Sequence, residues 1–377
     1  MSWLVVFYFI LGLYVLYILS LTLGLSKLKS TDLKLQNQLK TKFSVVIPMR
    51  NEAENLPALF QSISELSYPK NLFEIILVDD DSQDASWKFA REFQARYRDI
   101  KICLLSISEE KYTPKKNAIC TAIRKSSFSY ILTTDADVIL PENWLKSLDA
   151  KLQSTGADII AGGVVVTKKS SFLSHYQHFD MLSLQLFGLG SFAQKYPVVC
   201  NGANLCFRKS AYLEADVNRG KENIASGDDV FTLQKFKQLG FKIDFLTDSQ
   251  SVVWTQALES FEGLWQQRRR WASKTASVES WYLKSVGILV TLMQLTLILS
   301  LILWFWESAF FGFLINAFLL KFFVDGWSLT RMVKIQNLGF CWTDFLKVSL
   351  VYPFFTLFFS LTSFFGKFEW KGRRFQK

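Results

Sequence analysis

Two aspartates one residue apart, Asp135 and Asp137, follow the apolar run 130–134 directly. Alternate residues at a strand end can point to one side, so these carboxylates can converge on one hard cation; Mg2+ or Mn2+ suits oxygen ligands and shares its shell with substrate phosphates. An Asp-X-Asp is common in loops, and its place behind a buried run is what gives it weight. Asp79-Asp80-Asp81 closes a second run in the same way. Three successive carboxylates repel one another and a turn needs only one, so adjacent donors, or a ligand offering base N–H or ribose hydroxyls, would offset the cost; Ser82 or Asp84 also suits a helix N-cap. Glu52 and Glu54 follow Pro48-Met49-Arg50-Asn51, where they equally suit a helix's first turn.

Further along, Lys115 near a helix start offers a point charge for a diphosphate beside free backbone N–H groups, and equally suits a solvated basic turn. Ser226-Gly227-Asp228-Asp229 leads into a helical pattern over 231–239. Capping uses one aspartate and leaves the second for proton transfer. In Trp265-Gln266-Gln267-Arg268-Arg269-Arg270-Trp271, Gln267, Arg270 and Trp271 share one helical face and present an amide, a guanidinium and an aromatic surface, a set that suits diphosphate and sugar. The same stretch also suits an interfacial membrane helix.

These residues need a scaffold, and the middle of the chain supplies an alternating pattern. Strands are expected over 43–48, 74–80, 101–107, 130–134, 158–166 and 242–246, with helices over 54–66, 85–97 and 116–125. Such alternation reads as an α/β domain, whose ligands lie at the carboxyl ends of the strands. The ends of the chain are different: 50% of the residues are hydrophobic and 35 are Phe, concentrated outside the domain. An uncharged run over 3–25 is long enough to cross a bilayer. Met1-Ser2 precedes it and Lys27, Lys29 and Lys34 follow, which reads as an uncleaved anchor with its C-terminal side in the cytosol. Three further apolar stretches occupy 286–306, 309–329 and 345–366, the second carrying Lys321 and Asp325 and the third Pro353. If all three cross, the tail Lys367-Phe368-Glu369-Trp370-Lys371-Gly372-Arg373-Arg374 lies outside although its basic density argues for inside, so two or three crossings remain open. The expected parts are an anchor at 1–27, a cytosolic domain at 40–280, membrane segments at 286–366 and a basic tail at 367–377, in the plasma membrane.

The ordered set Pro48…Asn51-Glu52, Asp79-Asp80-Asp81-Ser82, Lys115, Asp135-Ala136-Asp137, Asn201-Gly202-Ala203-Asn204, Asp228-Asp229 and Gln267-Arg268-Arg269-Arg270-Trp271 resembles the family 2 glycosyltransferases. The resemblance implies a GT-A (Rossmann-like) domain with one N-terminal and two to three C-terminal transmembrane helices. It implies an inverting transfer from a nucleoside-diphosphate sugar, with uridine the family's preferred base, to a lipid or glycan acceptor, assisted by Mg2+ or Mn2+. By that similarity Pro48, Glu52, Asp79 and Asp80 border the nucleoside, Lys115 the diphosphate, and Asp135 with Asp137 the donor and the metal. Gln267, Arg270 and Trp271 face diphosphate and sugar, Trp271 also suiting the start of a lipid. Asn201, Gly202, Asn204 and Asp228 border the acceptor, and Asp229 is the base. Two departures stand out: Asp81 replaces a glycine frequent in the family, and Asp228 replaces a glutamate.

The net charge of +10 comes without a nucleic-acid-binding motif and lies largely beside membrane segments, which points to anionic lipid and away from nucleic acid. Five cysteines without paired metal-ligand spacing read as reduced thiols. His175 and His178, with no third ligand nearby, read as packing or surface residues. Competing readings are a processive polysaccharide synthase, whose terminal motif is similar, and a non-catalytic sugar-nucleotide-binding scaffold, from which loss of the base or metal carboxylates would be expected.

Overall fold

The computed structural model describes residues 2–28, 38–107, 113–219, 227–276, 278, 280–363, 368–371 and 373–375. Met1, Lys29, Lys34, Ser226, Gly366, Lys367 and Gly372 lie outside the described residues. The domain is built on strands β1 (Phe43–Met49), β2 (Phe73–Asp79), β3 (Lys101–Ser106) and β4 (Tyr130–Thr133), which run parallel in the order β3-β2-β1-β4. Every residue of β2 is buried, as expected of parallel strands covered on both faces. The side chains alternate accordingly. Val46, Ile76 and Val78 join one core with α4 (Pro114–Lys125), α6 (Phe172–Ala193) and α8 (Asp228–Gln238). Val45, Ile47, Ile75 and Leu77 join the other with α2 (Leu56–Ser64), α3 (Ser86–Arg96) and α5 (Trp144–Thr155).

Beyond β4 the sheet continues through β8 (Leu205–Arg208), antiparallel to both its neighbours, then β6 (Ile159–Gly162) and β9 (Ile243–Leu246). Here the structure departs from the sequence expectation of one strand over 158–166. That run is two strands: β6 belongs to the main sheet, whereas β7 (Val164–Val166) pairs with β10 (Val253–Thr255) in a small sheet completed by β5 (Val138–Ile139). The break falls at Gly162-Gly163, where the Asn204 side chain presses so close that a Cβ on Gly162 would lie 2.3 Å from its Nδ2. Only glycine leaves room for it.

Among the described residues, four helices are long and apolar enough to cross a membrane: α1 (Ser2–Leu25), α10 (Trp281–Leu303), α11 (Ala309–Ile335) and α12 (Trp342–Ser363). Phe7, Leu11, Tyr14, Met293, Leu297, Phe310, Phe313 and Ala317 pack α1, α10 and α11 into a separate apolar cluster, which no described residue of α12 joins. Lys321 pairs with Asp325 one turn on at 2.5 Å, and Tyr14 donates to Asp325 at 2.9 Å, so these two charged residues of α11 meet each other and α1. α12 packs on α10 and α11 and also touches the α/β domain along its length. Asp344 in its first turn lies 3.4 Å from His175, Tyr352 donates to Asp180 at 3.1 Å, and Thr362 in its last turn accepts from Trp265 at 3.0 Å.

Candidate active site

The loops after β1 and β2 are laced together before either reaches its helix. Asn51 accepts from the Gln83 N–H at 2.8 Å, and its own N–H donates to Ser82 at 3.1 Å. Glu52 stands four residues ahead of α2, outside its first turn, and accepts from Asn55 at 2.7 Å. Asp81 takes φ 57°, the left-handed conformation that glycine would supply freely and that aspartate tolerates better than most residues. The replaced glycine therefore leaves the turn intact. Arg50, between the two loops, donates to the carbonyls of Asp80 and Asp81.

The three successive carboxylates are satisfied unequally. One guanidinium nitrogen of Arg373, in the hairpin of β11 (Phe368–Trp370) and β12 (Arg373–Phe375), bridges both Asp80 oxygens at 3.0 and 2.9 Å. Burial still raises the Asp80 pKa, with Arg373 opposing it. Asp79 accepts from the Ser82 N–H at 3.2 Å through one oxygen. Its other oxygen is buried and has no hydrogen-bond partner among the described residues.

At the next strand end, Lys115 in the first turn of α4 meets Asp135 at 2.6 Å. Burial lowers the Lys115 pKa, but Asp135 and Asp228 together hold it above its ordinary value. Asp137 is pushed up to about 6, first by burial, then by the carboxylates of Asp135 and Glu52. A carboxyl shifted by neighbouring acids is one that a cation would relieve. Asp135 and Asp137 thus supply the hard oxygen donors, and the unbalanced negative charge, that a divalent cation fits. A cleft of about 80 Å3 brings Lys115, Asp135 and Asp137 together with Pro48, Glu52, Asp80, Arg270 and Lys371.

Asp228 and Asp229 form the first turn of α8, entered through Gly227 at φ 98°. Gly227 holds the N-cap position without a side-chain cap, and Asp229 accepts from the Val230 N–H of the first turn at 2.8 Å. Asp229 is largely buried and accepts from the Gly202 N–H at 3.2 Å, so the two motifs meet in space. Asn201 caps the short turn that follows it. Asn204 is buried, accepts from the Trp144 indole at 2.9 Å and donates to the carbonyls of Gly163 and Ser251. Its amide knits the loops rather than facing open space.

Helix α9 (Phe261–Ala276) carries the last motif, and the expected single face divides. Arg270 lines the cleft, whereas Trp271 packs beside Val166, Met181 and Ala257. Gln267 accepts from Arg268 at 2.9 Å. Arg268, which sequence reasoning passed over, pairs with Asp180 of α6 at 2.5 Å and stacks 4.2 Å from the Trp271 ring. Asp180 is the carboxylate that Tyr352 of α12 reaches. A second, mostly apolar cavity of about 320 Å3 lies between α1, α6, α10, α11 and α12, with Tyr352 in its wall. His178 is buried, bonds the Val166 carbonyl at 2.8 Å and is pushed down to about 4 by that burial.

A doubly covered, mostly parallel sheet with acids at its strand ends and cations opposite them is the build of a glycosyltransferase, and the comparisons with known proteins agree. The model of the family described as "Glycosyl transferase family 2" matches residues 44–214, and that of "Glycosyl transferase family group 2" matches residues 130–362. The chain belongs to the family 2 glycosyltransferases. Curated relatives include Glycosyltransferase AglE of Haloferax volcanii, 26% identical over 54% of this chain and 64% of the relative, and the Poly-beta-1,6-N-acetyl-D-glucosamine synthase of Staphylococcus epidermidis, 26% identical over 63% and 56%. The chain therefore spans less than two thirds of these relatives' length. The Mannosyltransferase PcManGT from Pyrobaculum calidifontis, solved in complex with GDP-Man and Mn2+, superposes with a TM-score of 0.56 over 96% of each chain at 14% identity. That likeness defines the shared fold, GT-A.

Proposed function

We propose that the protein transfers a sugar from a nucleoside-diphosphate sugar, UDP-linked by the family's preference, to a lipid acceptor at a membrane surface, with inversion at the anomeric carbon. The convergence of Asp135, Asp137, Lys115 and Arg270 on one cleft carries the donor half of this reading. Asp79 reads the nucleoside through its unpartnered buried oxygen, with Pro48 and Glu52 beside it, while Asp80 anchors the hairpin. Gln267 and Trp271 support Arg270 from outside the cleft, Gln267 accepting from Arg268 and Trp271 packing under the Arg268 guanidinium. A fold neighbour solved with GDP-Man and Mn2+ supports donor class and metal alike.

Asp135 and Asp137 would hold a divalent cation, Mg2+ or Mn2+, which when bound neutralises charge on the diphosphate. Asp229 acts as the base, held by the Gly202 N–H. It removes the proton from the acceptor hydroxyl as that oxygen bonds to the anomeric carbon. The bond from that carbon to the diphosphate breaks, and its electron pair leaves on the phosphate oxygen, where Lys115 and Arg270 stabilise the developing charge. Asn201, Gly202 and Asp228 border the acceptor, with Asn204 fixing their loop. The lipid reading draws on the second cavity, whose volume lies in the range of about 300–1,000 Å3 usual for ligand pockets and whose walls are membrane helices and α6.

The contacts of α12 also support a topology: α1, α10 and α11 cross, α12 lies along the membrane surface, and domain and tail share the cytosolic side. Relatives named as polysaccharide synthases favour processive transfer as a second reading. Incubating membranes with labelled sugar nucleotides and separating lipid from polymer fractions tests both. Label in a single-sugar lipid with inverted configuration is expected; label confined to polymer would replace the lipid reading, and no Asp229-dependent label at all would overturn both.

A further inference from the structure

The C-terminal hairpin reaches the donor cleft from more than three hundred residues away in sequence. Lys371, at its turn with φ 50°, directs its ammonium to Glu52 at 3.0 Å and to the Asn51 carbonyl at 3.0 Å, and its own carbonyl accepts from Arg50 at 3.2 Å. Arg373 anchors the next strand on Asp80. Lys371 therefore lines the same cleft as Lys115, Arg270, Asp135 and Asp137. That cleft holds about 80 Å3, well short of the roughly 300 Å3 at which small-molecule sites begin. Entry of a nucleoside diphosphate therefore requires side chains of the lining to move, and Lys371 is one of them. Displaced from Glu52, the ammonium stands beside the space where Lys115 and Arg270 converge, and an incoming diphosphate is the group there that most needs a further cation.

We propose that Lys371 is a donor-binding residue, a third cation on the diphosphate, which exchanges the Glu52 carboxylate for phosphate oxygens when the donor enters. Arg373 keeps its hold on Asp80 and returns the hairpin to the same place. The exchange leaves Glu52 with acceptor capacity for the ribose hydroxyls. It costs little net charge separation, because one anion replaces another as the partner of the ammonium. The proposal rests on the donor-site reading above.

Calorimetry on the full chain in detergent with Mn2+, using UDP and GDP as diphosphate probes and UMP and GMP as controls, separates the two. Loss of one charge-assisted contact predicts that Lys371→Ala weakens diphosphate binding by about ten-fold or more. Monophosphate affinity is expected to stay within about two-fold, since the lost contact is to the second phosphate. Lys371→Arg should retain most of the diphosphate affinity. Equal or tighter diphosphate binding by Lys371→Ala, or an equal loss for mono- and diphosphates, would overturn the proposal. Asp137→Ala serves as the check on the site itself: if it binds the probes with Mn2+ as the wild type does, or if the wild type binds neither diphosphate, the donor-site reading fails whatever Lys371 does.

Discussion

The two acidic rims of the cleft are built on opposite electrostatic terms. On the nucleoside side, after β1 and β2, the carboxylates of Glu52 and Asp80 meet Lys371 and Arg373, and Arg50 ties the loop carbonyls together. On the reacting side, the groups that act on Asp137 after burial are two more carboxylates, Asp135 and Glu52. On the first rim both of those acids meet a cation of the chain. On the second, Lys115 pairs with Asp135, and Asp137 is the carboxylate with no ion pair among the described residues, the state in which a cation is recruited. The difference separates residues that shape the cleft from residues that await a ligand, although both sets are aspartates at the ends of neighbouring strands.

Substitutions that break this contrast should rank by which rim they touch. The largest effect belongs to Asp229→Asn, which keeps the shape of the side chain but not its basicity: turnover should fall by about 10²–10⁴-fold, the usual worth of a general base, while calorimetric donor affinity holds. Asp137→Ala comes next. Its Mn2+-dependent binding of UDP or GDP should weaken by roughly 100-fold, the upper end of the 10–100-fold that outer-shell changes usually bring. Arg268→Ala attacks the support rather than the cleft. Leaving Asp180 buried without its partner should cost roughly 3 kcal/mol of stability, seen in denaturant unfolding, and Asp180→Asn combined with it should be less than additive. The smallest effect is expected from Asp81→Gly on the first rim, where relief of the left-handed conformation offsets loss of an exposed charge, for a net change within about 1 kcal/mol.

Much of the main sheet was legible in the sequence. Strands β1, β2 and β4 are buried on both faces and so appear as apolar runs, and the acids behind them fall where the fold needs them. The runs of two to four residues that make β5, β8 and β10 carry no such period, and the division of 158–166 depends on Asn204 approaching a glycine pair from another loop. Asp135 and Asp137 were found because their spacing is local. Lys371 and Arg373 were visible only as a basic tail, since their partners lie 293 or more residues away. Arg268 was passed over because its role depends on α6, and hydropathy gives no sign of the contacts that α12 makes with the α/β domain, because composition does not record which surfaces a helix packs against.

That helix has one more consequence. Bound at Asp344, Tyr352 and Thr362 to the α/β domain, α12 would work as a keel under the proposed topology: lying at the membrane surface, it would keep the domain from rolling about α1 and would set the height of the Asp229 carboxylate above the lipid headgroups. An acceptor hydroxyl carried at that height would reach the base without the enzyme tilting, whereas one borne on a longer head would overshoot it. The packing of a single helix would then act as a ruler on what the enzyme glycosylates.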